Sequence, residues 1–196
     1  MTPTTLLELA GADLQPPSLD RASLVLIDMQ NEYVEGPIAV TGCADAVKAA
    51  AVLLERMREA GRPIIHVAHK GRPGSLFDRD AHRGRFIEAL DPHDGEAVVE
   101  KGLPNAFAGT TLAEELQDAQ NTELILVGFM THMCVSSTAR VALDLGYRVT
   151  IDARACATRD LPDGRNGVID AQTVHDVALA ELADRFAIVA RDHDWR

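Results

Sequence analysis

Six short runs dominated by apolar residues recur along the chain, at 23–27, 64–68, 97–101, 124–127, 147–151 and 186–189. Their length and composition predict strands, and the first and fourth have the look of strands buried on both faces. Helical periodicity separates most of them. Residues 43–60 place Val47, Ala50, Ala51, Leu54 and Met57 on one face, Gly61 stops the helix, and Pro63 opens the next strand. Thr110 or Thr111 can cap a short helix through Gln117. From Cys134 the residues Thr138, Val141, Ala142 and Leu145 fall on one 3.6-residue stripe that ends at Gly146. Residues 171–184 bury Val174, Val177, Ala178 and Leu182 in the same way. The order β-α-β-loop-β-α-β-α-β-α-β predicts an α/β protein, a three-layer α-β-α sandwich around an open, mostly parallel, doubly wound sheet. The first and fourth strands should be neighbours where the strand order reverses, and a crevice opens there. One domain is expected over residues 1–196. Pro16-Pro17 marks residues 1–20 as an extended arm.

Composition narrows the function. A net charge of −11 without any basic run argues against nucleic acid or an anionic membrane as partner. The N-terminus lacks the basic start and apolar stretch of a signal peptide, and nothing approaches the roughly 18 apolar residues of a membrane span. Three cysteines, at 43, 134 and 156, form neither a CxxC pair nor a zinc pattern. Their odd number fits reduced thiols in a cytoplasm. His66, His69, His82 and His93 match no metal-binding spacing and read as strand-end and surface histidines, so no metal or cofactor is expected.

Candidate chemistry collects at strand ends. The first strand ends on Asp28, and Gly36-Pro37 argues against a helix that Asp28 could cap. The third ends on Lys101. Between the fourth strand and its helix, residues 128–133 make a turn that sets Cys134 in the first helical turn. There, free N–H groups and the helix dipole favour a thiolate. Taken alone, Cys134 is equally readable as a small buried hydrophobe. Residues 69–97 form a long loop carrying Arg72, Arg79, Arg83 and Arg85, expected to serve either as a lid over the site or as a solvated surface.

Three segments, LVLIDMQNEY, VVEKGLPNAFAGTTL and LVGFMTHMCVSSTARVALDLGY, resemble the signatures of the isochorismatase-like cysteine hydrolases, over about residues 23–190. The resemblance implies a catalytic triad of Asp28, Lys101 and Cys134. It also implies an oxyanion hole from the backbone N–H groups of Met130 and Cys134, and a cis peptide at Phe129–Met130. Tyr33, Phe107, Phe129 and Thr131 lie within these segments and are the candidate substrate contacts. The family implies hydrolysis of a small amide, imide or lactam and a homodimer or higher homo-oligomer. Nicotinamidases of this kind carry a D-x-H metal motif after the second strand, where this chain reads HVAHKGRPGS. Isochorismatases proper cleave a vinyl ether without a cysteine nucleophile. THM and ACATRDLPD look like the streptothricin hydrolase branch, which opens a cyclic amide. Competing readings are an ether hydrolase using Asp28 and Lys101 alone, a redox-sensing thiol protein, and a nucleotide- or flavin-binding module. No glycine-rich phosphate loop supports the last of these.

Overall fold

The computed structural model describes residues 2–195. Six strands form one parallel sheet: β1 (Ala22–Ile27), β2 (Ile64–His69), β3 (Ala97–Lys101), β4 (Glu123–Phe129), β5 (Arg148–Ala157) and β8 (Ile188–Ala190). Their spatial order is β3-β2-β1-β4-β5-β8, so the order reverses between β1 and β4 as expected. Every residue of β1 is buried, which is why the run is apolar throughout. Its side chains alternate between two cores. Leu24 and Leu26 pack towards α3 (Cys43–Glu59), while Val25 and Ile27 pack towards α4 (Leu112–Asp118), α5 (Ser136–Asp144) and α6 (Ala171–Arg185). Helices therefore cover both faces of the sheet.

Four details depart from the sequence-based expectation. The arm is not wholly extended: α1 (Leu6–Leu9) is one helical turn closed by a Thr5–Glu8 capping box. It docks on α6, with Leu6 N–H donating to Asp184 Oδ1 at 2.9 Å. Arg148 then ties down the following residues by donating to the carbonyls of Asp13 (2.9 Å) and Gln15 (2.7 Å). A short helix, α2 (Glu32–Glu35), does follow Asp28, but Asn31 occupies its N-cap position. Strand β5 runs on to Ala157, so Cys156 lies on a strand rather than in a loop. Its register against β4 shifts between Leu126 and Gly128, where buried Asp152 accepts from the Arg154 N–H (3.0 Å) and from Trp195 Nε1 (2.6 Å). A small hairpin, β6 (Leu161–Pro162) with β7 (Val168–Ile169), follows. Fourth, the residues after β4 form a single π-helical turn, Thr131–Val135, and the α-helix starts only at Ser136.

Candidate active site

The carboxyl ends of β1, β2 and β3 and the turn after β4 meet at one corner of the sheet. Gly128 makes the approach possible. With φ of +126°, it brings β4 so close to β1 that a Cβ would lie 2.0 Å from the Ile27 carbonyl oxygen. Asp28, the next residue on β1, turns the chain in the left-handed region at φ +52°, which Asp tolerates better than most side chains. On the other side, the Phe129–Met130 peptide is cis. The π turn is pinned at two points. Thr131 Oγ1 lies 2.9 Å from His175 Nδ1 on α6, and His132 Nδ1 lies 2.6 Å from Thr158 Oγ1 beyond β5.

Asp28, Lys101 and Cys134 come together. Lys101 Nζ lies 2.7 Å from Asp28 Oδ2 and donates to Cys134 Sγ at 3.3 Å. The side chains of Asp28 and Lys101 have no exposed surface and Cys134 is 3% exposed, so the corner is closed over. Neither Asp28 oxygen has a well-directed hydrogen bond. Burial pushes the Asp28 carboxyl above its ordinary range, against the pull of the Lys101 charge. Burial and then the Asp28 charge push the Cys134 thiol up to about 12, with Lys101 opposing.

This reverses one expectation. Cys134 is not an exposed thiolate at a helix start. The helix begins two residues later, the sulfur is buried, and desolvation with a neighbouring carboxylate outweighs the lysine. At rest the group is a thiol, with a base beside it.

The candidate substrate contacts divide. Tyr33 and Phe129 are buried together beside the triad, ring centroids 5.6 Å apart. Burial and the Asp28 and Cys134 charges hold the Tyr33 hydroxyl in its neutral form. Thr131 is also buried, but its hydroxyl is committed to His175, so it fixes the turn instead of facing a substrate. Phe107 stacks on Tyr147, just ahead of β5 at the opposite end of the sheet (6.2 Å), and so belongs to the packing around α5. An apolar cavity of about 460 Å³ beneath the arm, lined by Leu7, Leu14, Tyr147, Phe186 and Ile188, lies at that far end as well.

Three site residues were not singled out from sequence. His69, read as a strand-end histidine, places Nδ1 3.3 Å from Lys101 Nζ. Gln30 is buried and binds three main-chain groups, the N–H (2.8 Å) and carbonyl (3.0 Å) of His69 and the carbonyl of Gly84 (2.7 Å). Phe77, from the long loop, packs against Tyr33 (5.2 Å) and His69 (4.8 Å) and holds φ of +61°. A strained left-handed phenylalanine next to reactive groups is where enforced backbone geometry is usually found. His69 had an available signal, because it ends a strand at the same sheet edge as Asp28 and Lys101. Phe77 had none, since loop conformation decides its position.

The Isochorismatase domain model matches residues 22–194. The chain belongs to the isochorismatase family. A secreted isochorismatase effector, Isc1, of Verticillium dahliae is 38% identical over 87% of this chain and 88% of its own length. A streptothricin hydrolase of Streptomyces noursei is 36% identical over 84% of this chain, which spans 57% of that longer protein. Among solved structures, an isochorismatase from Pseudomonas putida KT2440 superimposes with a TM-score of 0.93 at 48% identity, covering 96% of this chain and 97% of the other. The six-stranded sheet is thus that of an isochorismatase-family hydrolase. Among the described residues, no helix is long and apolar enough to cross a membrane.

Proposed function

We propose that this isochorismatase-family hydrolase cleaves a C–N bond of a small amide, imide or lactam through a thioester on Cys134. The observation that carries the reading is a single buried lysine in contact with both a carboxylate and a thiol. Relatives named streptothricin hydrolase, maleamate amidohydrolase and nicotinamidase support an amide-type substrate. Asp28, with its raised pKa, takes the Cys134 proton as sulfur attacks the carbonyl carbon. The N–H groups of Met130 and Cys134 receive the oxyanion, where fixed donors in a dry site act most strongly. Asp28 passes its proton to the leaving nitrogen as the C–N bond breaks. It then deprotonates the water that attacks the thioester, and the departing sulfur regains the proton. Lys101 offsets negative charge on Asp28 and sulfur throughout. Tyr33 and Phe129 form an apolar wall for the substrate.

We take residues 1–196 as one hydrolase domain with an arm, and the chain as a homo-oligomer. Exposed Val168, Ile169 and Val177 offer an apolar contact face, and sedimentation at the mass of one chain would refute the oligomer. The three free cysteines fit a reducing cytoplasm, although the Verticillium relative is named as secreted. Thiol titration of protein taken directly from cells would tell the two apart.

The deciding experiment is product release from nicotinamide, carbamoylated amino acids, a streptothricin-type lactam and isochorismate, with wild type beside Cys134→Ala. Release of amine by wild type, lost about 10⁴-fold or more in the variant, is the expected result. Isochorismate cleaved equally by both proteins, with no amide turned over, would move the function to vinyl-ether hydrolysis.

A further inference from the structure

Lys101 is a buried cation with three N–H donors and no acceptor. Asp28 and Cys134 face two of them. The remaining neighbour lies outside the triad: His69 Nδ1, at 3.3 Å. His69 and Lys101 are register partners on adjacent parallel strands, so their side chains leave the same face of the sheet at its carboxyl edge. An ammonium only donates, so Nδ1 must accept and the ring proton must sit on Nε2. That tautomer requires a neutral ring. Burial and the Lys101 charge provide it, lowering the His69 pKa to about 4.

The histidine is itself held from three sides. Its N–H donates to Gln30 Oε1, its carbonyl accepts from Gln30 Nε2, and its ring packs against Phe77. The titratable groups facing this corner are Asp28 just past β1, Tyr33 from α2, Cys134 from the π turn and Lys101 from β3, while the loop contributes the uncharged Phe77. Lys70 and Arg79 are paired on the outside with Glu100, at 2.6 and 3.4 Å, and do not compete for the ring.

We propose that His69 is the positioning residue of Lys101, its Nδ1 taking the third ammonium proton and so holding the cation between Asp28 and Cys134. The inference rests on the triad being the reactive centre, and it deepens that reading by adding a fourth strand-end residue. His69 meets the Asp28 carboxylate through its backbone, which a side-chain substitution leaves in place, while its ring faces the lysine. It acts through the lysine, by supplying the acceptor without which a buried N–H would be unpaired or would turn elsewhere.

Two kinds of substitution separate this role from packing. His69→Asn keeps an acceptor near the Nδ1 position and removes the ring. His69→Phe keeps a ring against Phe77 and removes the acceptor, and His69→Leu is a second acceptor-free variant should the first not fold. The measurement is alkylation of Cys134 by iodoacetamide from about pH 6 to about pH 10, followed by mass spectrometry of the Cys134 peptide. It needs no substrate, so a wrong choice of reaction does not affect it, and thermal unfolding checks that each variant is folded. His69→Asn should follow the wild-type profile. The acceptor-free variants should alkylate about three- to tenfold more slowly across that range, as expected for one hydrogen bond lost from the lysine that faces the sulfur. On a substrate found by the panel, kcat should fall in those variants with KM little changed. Acceptor-free profiles that superimpose on wild type would overturn the proposal. So would equal displacement of all variants, which would make His69 a packing residue.

Discussion

Asp28 and Cys134 set each other's chemistry. Both are buried, so each prefers its neutral form, and the charge of either opposes ionisation of the other. Among the described residues Lys101 is the one cation in contact with both, and it opposes both shifts. Asp28→Asn separates the two roles of the carboxylate. Turnover should drop about 10²- to 10⁴-fold through loss of the proton carrier. Alkylation of Cys134, by contrast, should become easier, its midpoint moving below that of wild type as the negative neighbour disappears. An unchanged or higher midpoint would show that Asp28 is not what raises the thiol. The departure of Thr131 from its expected role is also a residue-scale effect. A buried hydroxyl needs a partner, and His175 on α6 reaches it first.

At the scale of elements, the segment after β1 does more than carry Asp28. Gln30, Asn31 and Glu32 successively hold the loop 69–86 against the sheet. Gln30 binds the main chain of His69 and Gly84, and Asn31 Nδ2 binds the carbonyls of His82 (3.2 Å) and Phe86 (3.1 Å). Buried Glu32 lies 3.6 Å from Arg83. One of the loop's arginines is spent on the loop itself. Arg79 stacks over Phe86 (4.7 Å) and binds the Gly84 carbonyl. The long loop is therefore pinned to the sheet and delivers Phe77, while Arg72, Arg83 and Arg85 stay exposed on its outer side. Gln30→Ala should leave several buried main-chain groups unpaired and cost about 1–3 kcal/mol in urea unfolding. It should also speed tryptic cleavage at Arg79, Arg83 or Arg85. Cleavage as slow as in wild type would mean that the loop is held by other contacts.

At the scale of the whole molecule, four histidines set the response to acid. His66, His69, His132 and His175 all have lowered pKa values, with burial the first cause in each. An unfolded chain would protonate them as pH falls below 6.5, while the native state resists, down to about 4 for His69. Stability is thus fully present above pH 6.5 and declines below it. Glu96 adds a second, lower window. Burial alone would raise it, but its bonds to Arg58, the His93 N–H and His66 hold it at about 2, so its contribution is present above 4.5 and lost as pH falls through about 2. Urea midpoints should start to fall below about pH 6.5, before the carboxylates titrate. A flat profile down to pH 5 would show that the histidines are not buried neutral in solution.

The neighbouring of β1 and β4, the helices on both faces of the sheet and the place of Asp28 and Cys134 at the crevice were legible in the chain itself, and the family resemblance added Lys101. Short apolar runs, helix stops and strand-end charges are local signals, and right-handed crossovers leave few ways to assemble them. Tertiary structure decided what those groups feel. Burial of Cys134, and hence a thiol in place of a thiolate, depends on the π turn and on the two hydrogen bonds that pin it. His69 became a partner of Lys101 through the register of β2 on β3, and Phe77 reached the site through a loop fold that Gln30 and Asn31 enforce. The partner of Phe107 is the ring of Tyr147, forty residues away in sequence. Local pattern specifies elements and their ends. Contacts between distant segments specify desolvation and orientation, and the pKa values and the shape of the site rest on those.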